Sequence, residues 1–329
     1  MNILHETFSK YIAALGRGPG KSRALTRDEA RDAFGMVLRG EADPHQIGAF
    51  LMLLRFRGED VPEIAGMVEA FRASIDAPWR ELNAALDWPS YGAGRTRGAP
   101  WFLLSALALA RAGVTVAMHG SNAFSTGIPV ETALRALGIA PSTDRPGAAA
   151  SLRETGFAYL PLAALSPAMD RLLGLRHLLG LRSPVNTVAR LANPSGAPAS
   201  VDGVFHPAYI AVHLGVAECL GQPRLLVLKG GGGEAERSPL KPATAWLWNN
   251  AGGDTEEHAF PAAPNLTAHP AATDTTELFA AVWRGEAVPP TPVATIVATI
   301  GMALLAANRR GTIEAANTEA EQIWRNRAR

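Results

Sequence analysis

The chain has 329 residues, a formal net charge of +1, 47% hydrophobic and 19% charged residues, the composition of an ordered globular protein with room for one large core or two unequal ones. Its single cysteine, Cys219, excludes an internal disulfide and a thiolate metal cage, fits a reducing, cytoplasmic setting, and reads from its apolar surroundings as a buried structural thiol. No basic region followed by a long apolar run opens the chain, and the apolar stretch 293–307 is too short and alanine-rich for a membrane span.

The first 75 residues read as helices with clear punctuation. Thr26 followed by Glu29 is a capping box whose helix runs to Gly40. Asp43-Pro44-His45-Gln46 repeats the logic, with proline at the first helical position, and Asp60-Val61-Pro62-Glu63 starts another helix. The helix 47–56 is almost wholly apolar, which suits packing inside the unit or against a second copy. From about residue 85, helices alternate with short strands, among them 114–117, 157–160 and 224–228, while 249–271 reads as an irregular excursion. The pattern predicts an α/β fold: a small N-terminal helical domain (1–75, joined by part of 166–192) and a larger α/β domain (76–329) with a mostly parallel central sheet covered by helices.

Ligands of such sheets bind beyond the carboxyl ends of the strands, and three polar turns lie there. The first holds Gly92, Gly94, Arg95 and Arg97 ahead of an apolar helix, a setting of close backbone approach, free N–H groups and guanidiniums that suits phosphate. It has no carboxylate to hold magnesium. The second holds His119, Ser121, Asn122, Ser125 and Thr126, small donors with a histidine read as facing the ligand. The third runs from Lys229 through four glycines to Glu234 and Glu236, which either bind a divalent ion or pair with arginines. Residues 91–190 carry ten arginines against four acidic residues, Arg176 and Arg182 among them. His177, His206 and His213 show no metal-ligand spacing, and no dinucleotide, P-loop or nucleophile-elbow motif is present.

Taken together, Leu25-Thr26-Arg27-Asp28-Glu29-Ala30, the run Gln46 to Glu59, His119-Gly120-Ser121-Asn122, Pro167-Ala168-Met169, the segment around Arg176 to Arg182 and Val201-Asp202-Gly203-Val204 resemble the anthranilate phosphoribosyltransferase family, whose glycosyltransferase family 3 fold is shared with pyrimidine nucleoside phosphorylases. The resemblance implies a helical domain, an α/β domain and a dimer contact through the helical domain, and it sets Arg176 where the family's arginine contacts anthranilate. The departures also count. The family's glycine-threonine-glycine-glycine-aspartate loop is Gly92-Ala93-Gly94-Arg95-Thr96 here, its lysine before the histidine is Met118, and its aspartate-glutamate pair is only partly matched by Glu234 and Glu236. These changes resemble the family's YbiB-like branch, which implies nucleic-acid binding by a dimer with basic grooves.

Two functional expectations follow. The main one is a homodimer, without a required cofactor, that binds single-stranded DNA or RNA, or a small phosphorylated ligand, with little sequence preference. Arg95, Arg97, Arg176 and Arg182 would take phosphates while Tyr91, Trp101 or Phe124 stack on bases. The alternative is a transferase that uses phosphoribosyl pyrophosphate and an aromatic amine or base. His119, Asn122 and Arg176 would then orient substrate and Glu234 and Glu236 would hold Mg2+.

Overall fold

The computed structural model describes residues 3–75, 77–92, 97–121, 123 and 126–327. It opens with α1 (Ile3–Gly16), α2 (Arg27–Leu38), α3 (Pro44–Arg57) and α4 (Val61–Ser74). The last three begin on the expected caps: Thr26, Asp43 and Asp60 each accept a first-turn N–H, and Glu29, Gln46 and Glu63 return the bond to the cap backbone. Glu63 also joins α4 to the segment before α2. Its buried carboxylate accepts the Leu25 N–H at 2.8 Å, and burial pushes its pKa above the usual carboxylate value. α2 and α4 cross at Gly66, where an added Cβ would lie 2.1 Å from the Arg27 carbonyl oxygen. No side chain fits at that crossing.

The rest of the chain runs β1 (Leu86–Ser90), α5 (Trp101–Arg111), β2 (Val116–Gly120), α6 (Val130–Ala136), α7 (Arg145–Thr155), β3 (Phe157–Pro161), α8 (Leu162–Leu165), α9 (Pro167–Gly174), α10 (Arg176–Leu179) and α11 (Val185–Arg190). It continues through β4 (Ala199–Val204), α12 (Ala208–Cys219), β5 (Arg224–Lys229), β6 (Ala243–Asn249), β7 (Asp254–Phe260), α13 (Thr276–Arg284), α14 (Pro290–Ala306) and α15 (Ile313–Asn326). The seven strands form one sheet in the order β3-β2-β1-β4-β5-β6-β7. β1 to β5 are parallel, and β6 and β7 close one side antiparallel. The mostly parallel α/β architecture with its helical unit is therefore as expected. Three local readings change. The strand placed at 114–117 lies two to three residues later, because Thr115 spends its carbonyl on the Ala85 and Leu86 N–H groups as a lead-in. The excursion after 249 begins with a regular hairpin partner, β7. Cys219 is exposed, not buried.

Alternating strand side chains feed two cores. On one face Ala117, Leu160, Leu225 and Val227 join the helical unit; on the other Val116, Met118, Leu226 and Leu228 pack beneath α5 and α14. α11 packs on both α4 and α9, so the segment 167–190 bridges the helical unit and the sheet. Among the described residues, no helix is long and apolar enough to cross a membrane.

Candidate active site

The strand order reverses direction between β1 and β4, the position where an open α/β sheet leaves a crevice at its carboxyl edge. What lines that crevice starts with the residue after β1. Tyr91 is 2% exposed, and its hydroxyl lies 2.8 Å from His119 Nδ1. His119 is itself fully enclosed, with Nε2 3.3 Å from Asp87 Oδ1, and Ser200 donates to the other Asp87 oxygen at 3.3 Å. Burial raises the Asp87 carboxyl against the opposing pull of His119, and burial holds the Tyr91 phenol well above its ordinary value. His119, read from the sequence as facing the ligand, is enclosed in this structure. It belongs to a buried polar cluster under the crevice, made possible by Gly120, where a Cβ would come 2.0 Å from the Ser90 carbonyl oxygen.

Above this cluster opens a cleft of about 270 Å³ between the helical unit and the sheet. α3 contributes Arg55, the α10 turn Arg176 and Arg182, α11 Asn186 and Arg190, the exit of β4 Phe205, and α12 Tyr209 and His213. Arg190 is buried and donates to the carbonyls of Asn186, Tyr91 and Gly233 at 3.2, 3.4 and 3.3 Å. One guanidinium thus ties α11 to the loop after β1 and to the glycine turn after β5. The Arg182 guanidinium lies 5.1 Å over the Phe205 ring, and its pKa is lowered by burial and by Arg176, Arg190 and Arg55 nearby. Such a convergence of guanidiniums favours an anionic occupant. Tyr209 accepts from Arg55 and donates to Glu59 at 2.8 Å, and burial with the Glu59 charge pushes its phenol up to about 12.

The structure brings Arg176 and Arg182 together here with Arg55, Arg190 and His213, which sequence reasoning missed. Arg97 opens elsewhere. It lines a separate hollow of about 330 Å³ with Trp101, Glu236, His269 and Asp274, and shares an open depression with Thr126. At the start of α5, Asp274 accepts the Ala99 N–H at 2.7 Å and Glu236 accepts the Phe102 N–H at 3.0 Å. The anion expected at that helix start is in part the protein's own. Glu234 is 1% exposed and held against β4, where Gly203 leaves room for its backbone. Glu236 lines the Arg97 hollow, and no group of three metal-binding side chains occurs among the described residues. Gly92 is buried, Lys229 ends β5 exposed, and Ser121 donates to Asp170 at 3.4 Å. Gly94, Arg95, Asn122 and Ser125, with Phe124, lie outside the described residues.

Residues 9–75 match the helical bundle domain of the glycosyl transferase family, and residues 102–326 match its a/b domain. An anthranilate phosphoribosyltransferase from Anaeromyxobacter sp. (strain Fw109-5) is 32% identical over 257 residues, which are 71% of this chain and 76% of that protein. The crystal structure of anthranilate phosphoribosyltransferase from Thermus thermophilus superposes with a TM-score of 0.79 at 26% identity, over 98% of this chain and 95% of that one. The Saccharomyces cerevisiae enzyme in complex with PRPP and Mg shares the fold, with a TM-score of 0.76 at 16% identity and coverage of 98% and 94%. These relatives are transferases, and the expectation of a nucleic-acid-binding protein is overturned by them. The structure supplies the physical reason. Tyr91 and Trp101, expected to stack on bases, are 2% and 6% exposed, and Arg176 and Arg182 converge on one cleft between the helical unit and the sheet.

Proposed function

The chain belongs to the glycosyl transferase family that joins a helical bundle to an α/β domain, and from that premise we propose that it is a pentosyltransferase. It transfers the ribosyl 5-phosphate group of phosphoribosyl pyrophosphate to the nitrogen of an aromatic amine and releases pyrophosphate. The observation that carries this reading is the arginine-lined cleft at the β1–β4 reversal, in a chain whose relatives are anthranilate phosphoribosyltransferases. Arg176 and Arg182 bind the acceptor's carboxylate, while the turns 92–98 and 119–127 hold the phosphorylated ribose, and positive charge develops at its anomeric carbon as pyrophosphate leaves. Magnesium commonly takes one or two carboxylates plus substrate phosphates. Glu236, which lines the hollow with Arg97, would be its protein ligand beside the pyrophosphate, with Glu234 close by in the chain. When bound, the ion neutralises charge on the leaving group.

The same reading takes residues 1–75, joined by part of 166–192, as the helical domain and 76–329 as the α/β domain. The packing of α11 on α4 supports this. It has two copies meeting through the helical domain, and it sets the reaction in the cytoplasm, a reducing compartment that a single cysteine fits. The test is pyrophosphate release from phosphoribosyl pyrophosphate with Mg2+ and a panel of aminobenzoates and aromatic bases. Release requiring both substrates is expected. Release at the uncatalysed rate across the panel rejects the assignment.

A further inference from the structure

We propose that His213, oriented by Asp202, is the base that takes the proton from the attacking amine; the proposal rests on the pentosyltransferase reading. Asp202 lies on β4 and His213 on α12, 1% and 2% exposed, with His213 Nδ1 at 2.8 Å from Asp202 Oδ2. A carboxylate only accepts, so Nδ1 carries the hydrogen, and in the neutral ring Nε2 is left with its lone pair. Nε2 has no protein partner among the described residues, and the ring lines the arginine cleft. Both residues stand on regular elements, and α12 is fixed against α4 where a Cβ at Gly215 would meet Val61 at 2.9 Å. The ring is thereby preorganised.

The cleft gives this lone pair its use. Arg55, Arg176, Arg182 and Arg190 only donate, and Tyr209 gives its hydrogen to Glu59. A ligand that carries both an anionic group and an N–H meets the guanidiniums and the histidine together. An aromatic amine bearing a carboxylate has both. As its nitrogen attacks, the N–C bond to the anomeric carbon forms, the C–O bond breaks, and pyrophosphate leaves with the electron pair. The nitrogen is then cationic amid four guanidiniums, and its surplus proton passes to His213 Nε2. The imidazolium so formed is stabilised by Asp202.

Other ionisable groups surround the ring. His206 lies at the mouth, exposed, against Phe205, while Arg72 from α4 and Asp87 line a small cavity beside Asp202. The decisive measurement is kcat against pH for wild type, His213→Gln and Asp202→Asn with phosphoribosyl pyrophosphate, Mg2+ and 2-aminobenzoate. His213→Gln should lose about 100-fold in kcat at neutral pH, keep KM for phosphoribosyl pyrophosphate within twofold, and lose the low-pH limb of the wild-type profile. Asp202→Asn should retain the limb with reduced kcat. An active wild type whose His213→Gln variant keeps both its rate and its limb overturns this proposal and leaves the pentosyltransferase standing. A wild type without turnover overturns both. Should the variants fail to fold, nitrogen NMR of labelled histidine in the wild type decides. A protonated Nδ1 and a bare Nε2 that shifts with 2-aminobenzoate supports the proposal, and the opposite tautomer refutes it.

Discussion

Replacing Arg190 tests whether one buried cation organises the cleft. Arg190→Met keeps an unbranched, flexible side chain but removes the three donated bonds to Asn186, Tyr91 and Gly233. Charge-assisted bonds of ideal length contribute roughly 1.5–3 kcal/mol each. These are 3.2–3.4 Å long, so about 1 kcal/mol apiece is the better figure. Relief of the guanidinium's desolvation returns about 1 kcal/mol of the total, leaving a net loss of about 2 kcal/mol in chemical denaturation. Arg190→Lys keeps the charge but not the fork, so it should lose about half as much. Because Tyr91 leads into the 92–98 turn and Gly233 sits in the glycine turn, both variants should raise KM for phosphoribosyl pyrophosphate more than the lowered stability alone would suggest. We expect about tenfold for Arg190→Met, the equivalent of about 1.4 kcal/mol. A variant within 0.5 kcal/mol of wild type and with unchanged KM, against this roughly 2 kcal/mol expectation, would falsify the assignment of Arg190 as a tether.

Other expected outcomes concern the helical unit and the cleft wall. Gly66→Ala should cost about 1–3 kcal/mol, since α2 and α4 must separate to admit the new Cβ; an unchanged thermal midpoint rejects that crossing geometry. Glu29 is held down to about 2 from 4.5, first by its bond from Arg23. Its contribution is complete above pH 4.5 and disappears as pH falls toward 2, and because the pair is largely solvated it amounts to no more than about 1 kcal/mol. Glu29→Gln should flatten stability against pH in that window, measured by denaturant midpoints, and an equally steep decline in the variant counts against the pair. Tyr209→Phe frees Arg55 from the hydroxyl it shares with Glu59. KM for the amine should rise severalfold with kcat nearly constant, and a change confined to kcat contradicts its placement in the acceptor wall.

The helical starts were legible because capping is local: cap and partner stand three residues apart, and the backbone between them has few alternatives. β1 and β4 were harder. Leu86–Ser90 contains an aspartate and a proline, and Ala199–Val204 contains an aspartate and a glycine, yet both are central strands. Their polar residues serve the crevice: Asp87 meets His119 and Ser200, and Asp202 meets His213. The strand pattern was weakened where the site was built. Arg176 and Arg182 could be singled out from the basic window, but its sign alone suggested an extended surface rather than a single cleft. His119 misled because a polar turn after a strand ordinarily faces solvent, whereas Tyr91 closes over this one. The Asp202–His213 pair joins a strand to a helix, and no short-range spacing rule finds it.

The antiparallel end of the sheet has a bearing on how copies of this chain coexist at high concentration. β7 is the outer strand, and its first four residues, Asp254-Thr255-Glu256-Glu257, are all exposed. An open strand is a template on which another chain's strand can bond, the first step toward insoluble cross-β aggregates. Here the template bears three carboxylates within four positions. A second copy approaching edge to edge would bring its own three into opposition, and the like charges repel before the backbones can pair. The five parallel strands, slow to assemble because each needs a distant partner, are thus bordered by a strand that discourages mispairing between molecules while they form.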